Sequence, residues 1–195
     1  MRKTEEYNIT LSEEKVSKKK KFLGDGKLNV FEVFQAIISA LVVITILFTF
    51  VFRVVNVDGT SMKPTLQHKD KVVVSTVGYE AKRGDIVVIS STDGLKEPII
   101  KRIIAVGGDT VDINFTTGVV TVNGTEEDYS NELTSQQFDI AFPITVPEGC
   151  VFVLGDNRNS SVDSRDASVG TVKGSEIAGK AWFRIYPFGE MGVVE

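Results

Sequence analysis

The sequence predicts a mainly β protein, with an extracytoplasmic all-β domain carried behind one N-terminal transmembrane helix. Three observations lead there. Residues Ala36–Phe52 form a run of seventeen without a charge. Beyond residue 53 the helical pattern gives way to short β-branched runs,. Glycines and the pair Asn123-Gly124 punctuate those runs, as turns between short strands require,.

Residues 1–29 carry eight Lys/Arg against five Asp/Glu and read as a polar, lysine-rich tail without a fold of its own,. Residues 30–52 are the helix. At ~1.5 Å per residue they reach about 34 Å, enough to cross a bilayer with some tilt. A buried core helix is the weaker reading, because this run is apolar all round and rich in Val, Ile and Phe. A secretory leader would have a shorter apolar region, so the run reads as an uncleaved anchor in membrane lipid. Lys18–Lys21 and Lys27 precede it, while Arg53 stands alone just after it. The positive-inside bias then puts the N-terminus in the cytoplasm and residues 53–195 outside, in a single pass.

Residues 53–195 carry fourteen Lys/Arg against twenty Asp/Glu, a formal charge of −6 against +3 for the tail. An acidic outer domain gives no reason to expect nucleic acid as a partner. One cysteine and one histidine leave no intrachain disulfide and no structural zinc site,. No cofactor is expected, and Cys150 reads as a small buried apolar residue. The strands expected are Lys71–Val74, Asp85–Ile89, Ile99–Val106, Thr110–Ile113, Val119–Val122, Val151–Leu154 and Gly179–Tyr186, the last ended by Pro187. Val119–Val122 followed by Asn123-Gly124 is the strongest hairpin signal. Glu126–Gln137 is polar and reads as a loop.

Three polar blocks stand out from this frame. Ser61 lies in Asp58-Gly59-Thr60-Ser61-Met62-Lys63-Pro64. A serine in such a turn is ordinarily a turn residue. To act as a nucleophile it needs a base. The only histidine, His68, stands in the polar turn Gln67-His68-Lys69-Asp70, which reads as exposed; a triad built on it is the second reading. Lys101 lies in Ile99-Ile100-Lys101-Arg102-Ile103-Ile104, and burial among aliphatics lowers a lysine's proton affinity. In an extended chain Ile99 and Ile103 share its face. A strand lysine is ordinarily solvated; the company of the other two blocks argues against that here. The third block, Gly155–Arg165, packs Asp, Asn, Arg and Ser densely. Read as a solvent loop it satisfies itself through Asx turns. Read as support for the dyad, Ser161 orients the Lys101 amine and Asp163 pairs with Arg165. Met62 would line a small apolar pocket.

These blocks, with Lys82-Arg83-Gly84-Asp85-Ile86-Val87 and Gly179-Lys180-Ala181-Trp182-Phe183-Arg184, resemble the type I signal peptidases in content and order. Those are membrane-bound Ser-Lys endopeptidases, and a short chain with one anchor resembles the Gram-positive forms. The resemblance implies a serine endopeptidase that removes signal peptides from exported preproteins at the outer face of the cytoplasmic membrane. It implies Ser61 as nucleophile, Lys101 as general base and Ser161 as the hydroxyl that positions it. It further implies ion pairs Asp163–Arg165 and Asp156–Arg102, and pocket or edge residues Val55, Val57, Met62, Leu66, Ile99 and Ile100. Some relatives carry a serine two positions before the nucleophile, where this chain has Gly59. The oxyanion hole then rests on the Ser61 N–H with a contribution from Gly59 or Thr60. Alternation along an extended substrate sends positions −1 and −3 to one side, so preproteins with small residues there are the expected partners. The alternatives are a catalytically silent, membrane-anchored relative, a plain structural ectodomain, and a self-cleaving Ser-Lys protease of repressor type. The last would carry a DNA-binding domain where this chain has its anchor.

Overall fold

A continuous apolar run with no interior glycine or proline makes Val30–Phe50 a single helix, α1, with Glu32 in its first turn. A carboxylate there complements the helix dipole. Its stretch Val30–Thr49 has a mean hydropathy of 2.4 and is not buried against protein, so it is long and apolar enough to cross a membrane,. The computed structural model describes residues 29–75, 77–90, 95, 97–127 and 129–194. The lysine-rich tail and the turn expected at Gly94 lie outside them.

The helix stops two residues short of the expected end. Phe52–Asn56 is instead the first strand, β1, paired antiparallel with β2, Lys71–Ser75, in the register Val55↔Val72. The uncharged run extends through Val51 and Phe52, past the last helical residue, so its end does not mark the change. What marks it is a partner strand fifteen residues further on.

The remaining strands are β3 Ile86–Ile89, β4 Ile99–Val106, β5 Thr110–Asn114, β6 Val119–Val122, β7 Thr125–Glu126, β8 Ile144–Thr145, β9 Cys150–Leu154, β10 Val172–Lys173, β11 Ile177–Tyr186 and β12 Gly192–Val193. One sheet runs β1-β2-β11-β3-β4-β9-β10, with β12 added to β11; a four-stranded sheet runs β7-β6-β5-β8. The paired strands are antiparallel throughout. Asn123-Gly124 makes the expected tight turn, both residues at positive φ (52° and 77°), between β6 and β7,.

The larger sheet is curled, and its central strands are covered on both faces. Every residue of β3 is buried. Ile86 and Val88 join Val57, Met62, Leu66, Val72 and Val74 in one cluster; Val87 and Ile89 join Ile103, Val151 and Val153 in another. A third cluster, around Phe152, Leu154, Val111 and Val120, fills the space under the smaller sheet. Cys150 is only partly buried, at the first position of β9 beside the Pro147–Gly149 turn. This corrects the expectation of a fully buried residue. Three features therefore meet at the middle of the larger sheet: the β1–β2 connection, the start of β4, and the long connection that follows β9.

Candidate active site

The β1–β2 connection is held by its own apolar residues. Met62 and Leu66 are 2% and 0% exposed in the core, and Leu66 N donates to Met62 O at 2.9 Å. Gly59 sits at φ +89°, a conformation that favours glycine, with open space where a side chain would begin,. Ser61 is thereby presented at the rim of the core. Lys101 comes from β4, opposite Val87 of β3, and is 3% exposed. Its Nζ donates to Ser61 Oγ at 2.7 Å.

Burial sets the chemistry of this pair. Desolvation pushes the Lys101 ammonium down from 10.5 to about 8; nearby Asp163 pulls it back up, Arg165 pushes it down further, and Asp156 again pulls it up,. A lysine so placed is neutral for a useful fraction of the time near neutrality. An arginine could not be.

The post-β9 loop supplies the support. Asp163 and Arg165 are both fully buried and make a two-pronged ion pair at 2.8 and 2.9 Å. Asp163 Oδ2 also accepts from Gly155 N at 3.0 Å. Arg102, the neighbour of Lys101, makes a second two-pronged pair with Asp156 at 2.8 and 2.7 Å. Thr65 Oγ1 donates to the same carboxylate at 2.5 Å, which ties the serine connection to the pair. Asn157 N donates to Ser61 O at 3.0 Å and Asn157 Nδ2 to Thr60 O at 3.1 Å. Gly155 is needed for this approach: a Cβ there would collide with Ser161 Oγ and with the Ser61 carbonyl oxygen. Ser161 is 4% exposed, and its hydroxyl has no hydrogen-bond partner among the described residues. The structure thus brings Ser161 beside the Ser61 peptide without bonding it to Lys101.

A cleft of about 480 Å³ opens at Ser61 and Lys101, lined among others by Val55, Val57, Met62, Ile99 and Ile100. Five of the six expected pocket residues are therefore in the wall. Leu66 is the exception: it is sealed in the core beneath, because the turn that exposes Ser61 points Leu66 inward. Val88 of β3 lines the cleft as well. His68 lies on the exposed side of the connection, its Nδ1 3.1 Å from Asp58 and accepting from Gly59 N at 3.4 Å. Among the described residues no cluster of His, Cys, Asp or Glu is arranged to hold a metal.

The family model described as "Signal peptidase, peptidase S26" matches residues 30–186. The chain belongs to this family. It is 36% identical over 191 residues to "Signal peptidase I" of Bacillus licheniformis, covering 93% of this chain and 98% of that one. It is 37% identical over 192 residues to "Signal peptidase I S" of Bacillus subtilis (strain 168), with the same coverages. The crystal structure of a signal peptidase I from Enterococcus faecalis V583 is 32% identical and covers 52% of this chain and 97% of that one, with a TM-score of 0.43.

Sequence reasoning missed several supports in this signal peptidase family member. Thr65 directly follows the quoted serine block and Asn157 sits inside the third one, but hydroxyl and amide contacts across 91 and 97 residues leave no mark in the chain. Arg158 is buried against Glu127, each 2% exposed at the side chain. Arg184 reaches Asp70 at 3.0 Å and holds the far end of the serine connection.

Proposed function

We propose that this chain is a membrane-held serine endopeptidase that removes signal peptides from exported preproteins, with Ser61 as nucleophile and Lys101 as base. The observation that carries this reading is the 2.7 Å contact between Lys101 Nζ and Ser61 Oγ, made where the lysine is almost wholly excluded from water. Residues 1–29 are the cytoplasmic tail, Val30–Phe50 the membrane helix, and the chain from β1 onward the peptidase domain outside.

In this mechanism neutral Lys101 takes the Ser61 hydroxyl proton as Oγ attacks the scissile carbonyl. The tetrahedral oxyanion is stabilised by the Ser61 N–H, with Thr60 rather than Gly59 as its helper, because the Gly59 N–H already faces His68 Nδ1,. Lys101 then passes its proton to the departing amine of the mature protein; the neutral Lys101 amine next takes a proton from water as that water attacks the acyl carbon, and returns it to Ser61 Oγ as the signal peptide leaves. Ser161, desolvated and unpaired, is the hydroxyl that turns toward the Lys101 amine when the lysine gives up its contact with Ser61. Asp163–Arg165 and Asp156–Arg102 hold the loop that carries it.

The incoming peptide lies extended along the cleft beside β1 and the start of β4, with its −1 and −3 side chains toward the apolar wall. Phe at −1 or −3 is expected to block cleavage and Phe at −2 to be tolerated. Ile100→Ala is expected to widen the choice at −1 and blur the cut. Mass spectrometry of the products checks both, and an unchanged cut with −1 Phe would point to a different mode of substrate reading.

The base must be neutral, so its lowered proton affinity fixes the sign of the pH dependence. Below pH 8 most Lys101 is charged, and above it most is neutral. The value of kcat/KM is expected to rise from pH 6 and level off above about 8.5. A rate that falls over that range in a folded enzyme would remove Lys101 as base.

The direct test is incubation of the detergent-solubilised chain with a secretory precursor, followed by N-terminal sequencing of the product. Ser61→Ala is the control expected to be inert. Intact precursor with the wild-type chain, or unchanged turnover by Ser61→Ala, would overturn the reading.

A further inference from the structure

The four-stranded sheet contributes no atom to the Ser61–Lys101 pair. Yet the chain leaving it grips the post-β9 loop at several points. We propose that Glu127 and residues 129–136 form a bracket that positions the reacting pair, and that Asn159 is the positioning residue through which the bracket acts. The inference rests on the proposed Ser-Lys reaction and adds a source of its alignment.

Between Leu154 and Val172 the chain has no strand, so the alignment of this long connection must come from its contacts. Asn159 makes five of them to the bracket. Its Oδ1 accepts from Ser135 N at 3.0 Å, Ser135 Oγ at 2.9 Å and Gln136 N at 3.0 Å. Its Nδ2 donates to Glu132 Oε1 and to Leu133 O, both at 2.9 Å. One amide side chain is thus saturated by a single neighbouring segment. The other carboxylate oxygen of Glu132 accepts from Arg158 N at 2.5 Å, and Arg165 Nη1 donates to Gln136 O at 3.0 Å.

The bracket is itself fixed to the smaller sheet. Glu127 N donates to Val120 O and Thr134 N to Gly118 O, both at 2.9 Å. Rigid β6 therefore stands at one end of a chain of contacts, and Ser61 at the other. The links are Asn159 to the bracket and Asn157, two residues earlier, to the Ser61 carbonyl. Ser161 is two residues beyond Asn159 on the same loop. A shift of ~1 Å in a reacting group costs on the order of 10²-fold in rate. The loop is held to that tolerance by groups that never meet the substrate.

Asn159 is only half-buried, so truncating it opens no core cavity. That separates positioning from general stability. The test uses the full chain in detergent and the variant Asn159→Ala. The expected result is a kcat lowered about tenfold or more, with KM for a preprotein within about twofold of wild type. Hydrogen exchange read by mass spectrometry should speed up over residues 155–161 and stay unchanged over β3 and β4. Glu132→Ala removes one of the same links, to Asn159, and the neighbouring one to Arg158 N; it should act alike, and the double variant should lose less than the product of the two single losses. Unchanged exchange over 155–161 would overturn the bracket. Faster exchange with wild-type kcat would also overturn it, as would equal loosening of β3 and β4. A wild-type chain that leaves preproteins intact would instead defeat the proposed reaction, and the exchange data alone would then decide the bracket.

Discussion

Lys101→Arg is expected to be as inert as Lys101→Ala, with cleavage reduced at least ~10³-fold. The two substitutions separate the roles a buried cation can have. If Lys101 only held Ser61 in place or supplied positive charge, arginine would keep much of the activity. Acting as a base requires the loss of a proton, which the guanidinium does not undergo in proteins. Cleavage of a preprotein, followed by gel shift and N-terminal sequencing, measures the outcome. Substantial turnover by Lys101→Arg would reassign the lysine to a structural role. Circular dichroism guards against the trivial explanation of a misfolded variant, since the larger guanidinium must fit where β4 faces Val87.

Asp156→Ala is expected to cost about 3–5 kcal/mol of stability. Asp156 and Arg102 are 2% and 5% exposed at the side chain, so removing the carboxylate strands a guanidinium away from water. Thr65 loses its acceptor at the same time, and the serine connection loses its tie to β4. A loss of that size should lower the thermal midpoint by roughly 10 °C or more. Asp156→Asn keeps the shape and part of the hydrogen bonding and should fall between. A midpoint for Asp156→Ala within about 2 °C of wild type would mean that water reaches Arg102 and that the pair contributes little.

Much of this was legible in the chain. Period and turn chemistry marked α1, five of the eight strands of the larger sheet and two of the four in the smaller one, because β-branched runs closed by glycine leave little choice of local structure. Lys101 stood out as a cation among aliphatics, while Ser61, Asp163 and Arg165 stood out through the combination of the three polar blocks and the resemblance they carry. β1 did not stand out, since Phe52 read as the end of the uncharged run and Val54-Val55 is too short a β-branched run to mark a strand. Glu127 did not either. A glutamate in a polar stretch looks solvated, and only the arrival of Arg158 from 31 residues away shows that it is buried. Leu66 was misplaced for the converse reason: its position near the nucleophile suggested the cleft wall, while the turn sends it into the core. Long-range pairing is set by the curl of the sheet, and short-range pattern does not carry that information.

Burying Lys101 also has a thermodynamic consequence for the whole domain. A lysine whose ammonium is held near 8 when folded and near 10.5 when unfolded binds its proton more weakly in the native state. Below pH 8 both states are charged, and the native state bears the full cost of the buried ammonium, about 3 kcal/mol. As pH rises from 8 toward 10.5 the unfolded chain still holds the proton and the folded one does not, so that cost fades and the fold gains stability. At neutral pH the domain is therefore folded in spite of the ammonium it buries. The core clusters hold together a structure that this one cation weighs against. On the proposed reading, a sequence relieved of that group would be the sturdier protein and the idle one.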